Sequence, residues 1–227
     1  MSTSSPSLSS PGNWRRIGLT GGIASGKSTV SRYLEERYGL PVLDADLYAR
    51  QAVAVGSPIL QAIRDRYGAE VLQVDGSLDR QRLAQILFGD VKERRWLEGQ
   101  IHPFVRDAFV QELVALEQEQ RIRHRDTEGG LEDARLVERT AVLAIPLLFE
   151  AGMTDLVSEV WVVSCPLAVQ VARLMGRDRI SEEAAKTRIA SQMPLAEKVT
   201  LADVVLDNGT SPENLFQQVD SVLLNGK

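Results

Sequence analysis

Two glycines, a lysine and a serine spaced as Gly21, Gly26, Lys27 and Ser28 are the parts of a loop that holds a nucleoside triphosphate. Glycines let the backbone turn tightly enough for several N–H groups to converge on phosphate oxygens. The positive end of a following helix adds to the field there. Lys27 is the candidate to reach the β- and γ-phosphates and Ser28 the candidate to ligate Mg²⁺. Such a loop needs a strand before it and a helix after it. Arg16-Ile17-Gly18-Leu19-Thr20 reads as a short buried strand, and the stretch from Val30 to Glu36 has helical spacing.

Other groups suited to phosphoryl transfer follow apolar runs. Asp44-Ala45-Asp46 offers two carboxylates after a second strand, where one of them is a candidate base for an attacking hydroxyl. The alternative is that Asp46 caps the helix beginning at Leu47. Ile145-Pro146-Leu147-Leu148-Phe149-Glu150 ends in an acid that either supports Mg²⁺ or caps the turn at Ala151-Gly152. Arg173 and Arg177 share one helix face and, with Arg179, could cover a triphosphate. The alternative is a solvated helix with Arg177–Asp178 and Arg179–Glu183 pairs. In the turn Asp207-Asn208-Gly209, Asn208 is a candidate to meet an adenine edge. His102 beside Pro103 reads as a structural residue, and His124 lies in a charged stretch, so a histidine metal site is unsupported.

These groups need a scaffold. Apolar runs at Ile17 to Leu19, Val42 to Leu43, Ala141 to Ile145, Val160 to Val163 and Val204 to Leu206 predict five buried parallel strands alternating with helices. The fold class is α/β, a doubly wound sheet that binds ligands at the carboxyl ends of its strands and so brings Asp46 near the phosphate loop. The gap from Leu47 to about Val137 is too long for one crossover and predicts a helical subdomain. Within it, helices are expected at Pro58 to Ile63 and Leu78 to Leu87, and from Trp96 to Ala115 with a break near Pro103. Arg121 to Arg139 reads as an exposed, mobile insertion of mixed charge, and the Ser- and Pro-rich start as a disordered tail.

Composition narrows the class. A chain of 227 residues, 44% hydrophobic and 25% charged, can bury a sizeable core. A formal net charge of −5 carries no footprint for nucleic acid, so bound anions must be met by local groups such as Lys27. One cysteine, Cys165, excludes an intrachain disulfide and reads as a small core residue. No apolar run approaches the roughly twenty residues of a membrane span, and a cytoplasmic location is expected.

Taken together, Thr20 to Thr29, Asp44-Ala45-Asp46 with Ala49-Arg50, Glu98 through His102-Pro103, Pro146 to Glu150, Arg173 to Asp178, and Arg188-Ile189 with Gln192 resemble dephospho-CoA kinases. The resemblance runs from about Ile17 to Leu223 and implies a five-stranded parallel sheet of the P-loop kinase type. It implies a nucleotide-binding core over 14–46, 107–170 and 198–227, a helical CoA-binding subdomain over 47–106, a lid over 171–197 and a tail over 1–13. It further implies transfer of the γ-phosphate of ATP to the ribose 3′-hydroxyl of dephospho-CoA, with Mg²⁺, giving coenzyme A and ADP. Asp46 becomes the base, and Lys27 and Arg177 join it in catalysis. ATP is expected on Gly22, Ile23, Ala24, Ser25, Gly26, Lys27, Ser28, Thr29, Arg173, Arg177 and Asn208. The acceptor is expected on Asp46, Arg50, His102 and Arg106, with Ser28 on the metal and Glu150 as a second candidate for it. Partners are ATP and dephospho-CoA, without nucleic acid or membrane, in a monomer or weak homo-oligomer. One departure is Ala24, where the family often has glycine; alanine there is expected to avoid positive φ. A small GTPase lacks support because no Asn-Lys-X-Asp segment follows the later strands. A shikimate-like or nucleoside monophosphate kinase and a non-catalytic nucleotide-binding module stay open on the residues alone.

Overall fold

The structure, a computed structural model, describes residues 14–125 and 139–225. The proposed tail, 1–13, and residues 126–138 of the charged insertion lie outside them. By its internal contacts the chain divides into two compact units, one running up to Leu43 and from Glu112 onward, the other Asp44–Gln111.

The first unit is built on a five-stranded sheet in the order β2-β3-β1-β4-β5. Its strands are β1 (Arg15–Gly21), β2 (Val42–Asp44), β3 (Thr140–Ala144), β4 (Glu159–Ser164) and β5 (Val204–Asp207). β1 runs parallel to β3 on one side and β4 on the other, and β4 parallel to β5. All five residues of β3 are buried, as are Ile17 to Gly21 of β1. Continuous apolar runs are what strands covered on both faces require. The chain leaves β1 toward β2 and later crosses from β3 to β4 on the opposite side, so the order reverses at β1. That reversal opens a crevice beyond its carboxyl end.

Ile17, Leu19, Trp161, Val163 and Leu206 of the sheet pack with Val30 and Leu34 of α1 (Lys27–Tyr38) and Leu215, Val219 and Leu223 of the C-terminal helix Pro212–Asn225. The ring of Tyr33 stacks on Phe216 at 4.1 Å. The Tyr33 and Tyr38 hydroxyls both donate to Asp220 Oδ1, at 2.8 and 2.7 Å. Burial, then that bond, pushes Tyr38 up to about 12.

The second unit holds α2 (Ala45–Ala52), α3 (Pro58–Tyr67), α4 (Arg80–Leu87) and the first part of α5 (Val91–Arg125). Ser57 caps α3 by accepting from Leu60 N–H, with Pro58 in the first turn, and Asp79 caps α4 in the same way. Val53, Leu60, Ile63, Val71, Leu78 and Leu83 form a core of its own. The expected break near Pro103 is absent: α5 continues for 35 residues with the proline inside it. Proline removes one hydrogen bond and crowds the carbonyl four residues back, which belongs to Gly99. Partly buried Leu97 and Ile101 before it and buried Val105 and Phe109 after it hold the helix on course.

α3 and α5 are joined by one charged cluster. The Arg66 guanidinium lies over Trp96 at 4.5 Å and donates twice to Glu93, at 2.6 and 2.8 Å, while the Tyr67 hydroxyl donates to the same carboxylate at 2.6 Å. The Arg66 bonds foremost, then Tyr67, hold Glu93 at about 2 against an ordinary 4.5. A carboxylate lowered in the folded state stabilises above its unfolded pKa and loses that contribution as pH falls through the folded value. The difference in urea midpoint between the chain and Glu93→Gln is therefore expected to be full above 4.5 and to shrink as pH falls toward about 2. A difference that does not change with pH over that window would contradict this assignment.

Candidate active site

β1 passes into α1 through the glycine-rich loop. Ser25 N–H donates to the Gly22 carbonyl at 3.2 Å, closing a turn, and Gly26 caps α1 at φ 107° and ψ 21° with no side-chain cap bond. The Thr29 and Val30 N–H groups already use the Gly26 carbonyl, at 3.0 and 3.3 Å. The earliest N–H groups of the helix thus face the loop, where an anion is favoured. Lys27 is half-buried at this end, and Ser28 and Thr29 are exposed beside it.

The loop is braced by side chains that converge on its carbonyls. Asn208, 6% exposed, donates its amide to Ser25 O at 2.7 Å. Arg173 donates to Ser25 O at 3.4 Å and to Asn208 O at 3.2 Å. Gln170, 2% exposed, donates to Ile23 O at 3.0 Å. Contact is close enough that side chains on two glycines have no room: a Cβ on Gly26 would lie 2.0 Å from Asn208 Nδ2, and one on Gly22 2.2 Å from Gln170 Nε2. The amide nitrogen of Asn208, expected at an adenine edge, donates to the loop carbonyl of Ser25. Gln170 did not emerge from the sequence, although a glutamine beside Val171 in the apolar stripe of a helix is the signal that would have marked it.

Arg173 and Gln170 belong to α6 (Leu167–Asp178), followed by α7 (Glu182–Ala190) and α8 (Leu195–Thr200). Val171, Leu174 and Ala185 of α6 and α7 pack with Ile23 and Ala24 of the loop. Ala24 adopts φ 57°, the left-handed region it was expected to avoid. Its methyl is held there by this apolar contact. Arg177, one turn beyond Arg173, is exposed and pairs with Asp178 at 2.7 Å. Arg188 of α7 shares that carboxylate at 2.7 Å. The bonds from Arg177 first, with Arg188 adding to them, hold Asp178 below the usual carboxylate range. Arg173 thus braces the loop, and Arg177 forms the pair with Asp178 that the sequence offered as the alternative to a cover over the triphosphate.

Glu150 is no open carboxylate either. Its Oε1 lies 2.8 Å from Lys198 Nζ and accepts from Met193 N–H at 3.1 Å. Cys165 is buried, and burial pushes its thiol up. It lines a cavity of about 860 Å³ with Gly22, Ile23, Gln170, Ile189, Met193 and Leu195.

In the second unit the capping residue of α2 is Asp44, whose Oδ1 accepts from Asp46 N–H at 2.8 Å. Asp46 stands in the first turn with an exposed side chain, and exposed Arg50 stands in the last. His102 and Arg106, both half-buried, lie four residues apart on one face of α5. Among the described residues no group of three or more His, Cys, Asp or Glu could hold a metal, and no helix is long and apolar enough to cross a membrane.

The family profile of dephospho-CoA kinase matches residues 15–213. The chain belongs to the dephospho-CoA kinase family. Dephospho-CoA kinase of Synechococcus elongatus is 52% identical over 209 residues, covering 92% of this chain and 91% of that one. The same enzyme of Gloeobacter violaceus is 51% identical with the same coverage. Among solved structures, dephospho-CoA kinase from Campylobacter jejuni superposes with a TM-score of 0.64 at 26% identity over 93% of this chain and 98% of that one. A Thermus thermophilus protein reaches 0.72 at 33% identity, over 95% and 100%. Family membership makes the chain a kinase of the P-loop type.

Two substitutions test the loop. Gly26→Ala forces a side chain into Asn208 at forbidden φ and is expected to weaken ATP binding about a hundredfold or more, equivalent to ~3 kcal/mol. Calorimetric titration that finds the affinity within about threefold would refute the bracing. Ala24→Gly is expected to raise stability in urea by up to about 1 kcal/mol, because relief of the left-handed methyl outweighs the added freedom of the unfolded chain. A loss of stability would show that the apolar contact of the methyl is worth more than its strain.

Proposed function

We propose that in phosphorylating dephospho-CoA, the last step toward coenzyme A, this chain holds ATP on the loop from Gly22 to Thr29 and accepts the acceptor's proton on Asp46. The observation that carries the reading is a braced phosphate loop ending in Lys27 at the start of a helix, within a chain matched by one kinase family over residues 15–213. The ribose 3′-hydroxyl oxygen forms a bond to the γ-phosphorus as the bond from that phosphorus to the β–γ bridging oxygen breaks, and ADP leaves. The hydroxyl proton passes to the Asp46 carboxylate. Asp44 serves as the cap of α2, which supports giving the base role to its neighbour. Lys27 and the loop N–H groups oppose charge on the transferring group.

Magnesium bound with the triphosphate would neutralise phosphate charge. The exposed Ser28 hydroxyl, a hard oxygen donor at the loop's end, fits such an ion, and Glu150, engaged with Lys198, is assigned no part in holding it. Arg177 supplies donors toward the triphosphate once its exposed pair with Asp178 opens, a pair of the kind that costs little to break. Arg50, His102 and Arg106 take the acceptor, whose phosphates suit cationic and hydrogen-bonding side chains.

The test is ADP release from Mg²⁺-ATP with and without dephospho-CoA, with mass confirmation that the acceptor gains one phosphate. Acceptor-dependent turnover giving coenzyme A is expected. Stimulation by shikimate or nucleoside monophosphates but not by dephospho-CoA would overturn the substrate assignment. Asp46→Asn is expected to lower kcat about a hundredfold or more with ATP affinity kept. Unchanged turnover would remove Asp46 from the mechanism.

A further inference from the structure

Lys198 has no exposed surface, yet it carries an ammonium group. Its Nζ lies 2.8 Å from Glu150 Oε1 and donates to the Pro146 carbonyl at 3.1 Å. Each of these acceptors has a second donor. The Thr20 hydroxyl, on the residue that leads into the phosphate loop at Gly21, donates to Pro146 O at 3.2 Å. The Met193 N–H, in the connection by which the chain leaves α7 for α8, donates to Glu150 Oε1 at 3.1 Å. One buried cation therefore joins the root of the loop, the carboxyl end of β3 and the exit of the α6–α7 segment.

Stability alone does not account for this arrangement. Desolvating an ammonium group offsets much of its attraction to a carboxylate, and an apolar pair of similar volume is often as stable or more so. What apolar side chains cannot supply is direction: four directed bonds connect Met193, through Glu150, Lys198 and Pro146, to Thr20.

We propose that Lys198 and Glu150 are positioning residues for phosphoryl transfer, anchoring the exit of the α6–α7 segment to the carboxyl end of β3 so that the segment closes in register with the loop. The inference rests on the kinase reading in which α6 and α7 cover the triphosphate. Neither residue touches ATP or the acceptor. Their effect is on how α6 and α7 meet the loop, where Ile23 and Ala24 already pack against Val171, Leu174 and Ala185. A small misplacement of such a cover is felt in the rate.

The experiment compares the unsubstituted chain, Lys198→Met and the apolar pair Glu150→Leu/Lys198→Met for melting temperature, kcat, KM for ATP and KM for dephospho-CoA. Lys198→Met is expected to lower both stability and kcat. The double variant is expected to recover the melting temperature while kcat stays roughly tenfold to a hundredfold down and KM for ATP stays within about threefold. Recovery of kcat together with stability would overturn the proposal and leave the pair a structural one. If the double variant does not fold, Glu150→Gln, which keeps an oxygen for Met193 N–H and removes the charge, decides the matter. A fall in kcat at constant KM for ATP supports anchoring, and an unchanged kcat overturns it. Absence of turnover with dephospho-CoA in the unsubstituted chain would instead strike at the acceptor assignment, so the two failures are distinct.

Discussion

The carbonyl of Ser25 receives the amide of Asn208 and the guanidinium of Arg173, and the shape of the phosphate loop depends on that meeting. A carbonyl turned toward the sheet side leaves the neighbouring N–H groups turned the other way, toward an anion. Each bond contributes only about 0.5–1.5 kcal/mol net, somewhat more where the donor is charged, but a buried donor left unmade costs about 1–3 kcal/mol. The arrangement therefore resists partial opening. It also dictates topology. Asn208 follows β5 and is held to β4 by its N–H on the Ser164 carbonyl at 2.7 Å, whereas Arg173 and Gln170 ride on the helix that follows β4. β4 and β5 must both lie on one side of β1, as the strand order provides.

Charge is used in two ways around this loop. On α6 and α7 the pairs are exposed: Arg177 and Arg188 share Asp178, and Lys186 meets Glu182 at 2.6 Å. Such pairs are worth little and exchange partners readily, which suits the proposed turn of Arg177 toward the triphosphate. Lys198 and Glu150 are the opposite case, with the ammonium withdrawn from water and its bonds directed at backbone as well as carboxylate. The first kind leaves arginines available, and the second fixes where the segment carrying them ends.

The second unit keeps an apolar core of its own and a separate charged clasp, in which Arg66 serves Glu93 and the face of Trp96 at once. A subdomain stabilised from within can carry the residues assigned to the acceptor, Asp46, Arg50, His102 and Arg106, on regular helices. Helix geometry sets His102 and Arg106 on a common face, and the unbroken course of α5 past Pro103 preserves their spacing.

The five strands and the phosphate loop were legible from the chain because both are local. β1, β3 and β4, covered on two faces, are continuous apolar runs, and a loop that wraps phosphate must have its glycines, lysine and serine close in sequence. β2 and β5 were expected to be buried throughout and are not: as the edges of the sheet they bury only part of their residues. The family was legible as well, since several short segments occur in one order. Side-chain partners were not. The cap offered at Asp46 falls instead on Asp44, because α2 begins two residues earlier than the expected Leu47, and the course of α5 through Pro103 turned on packing at Val105 and Phe109. Spacing showed that Arg173 and Arg177 share a face and offered the Arg177–Asp178 pair as one reading, but not that Arg173 would turn to Ser25. Glu150, an acid ending an apolar run, could be read as a metal acid or as a turn cap; its partner in the structure, Lys198, is 48 residues away in the chain, and no periodicity connects them. Local composition thus determined the elements and the loop, whereas tertiary structure decided which polar groups met. That is because a hydrogen bond depends on ångström-scale positions that only the packed sheet and helices establish.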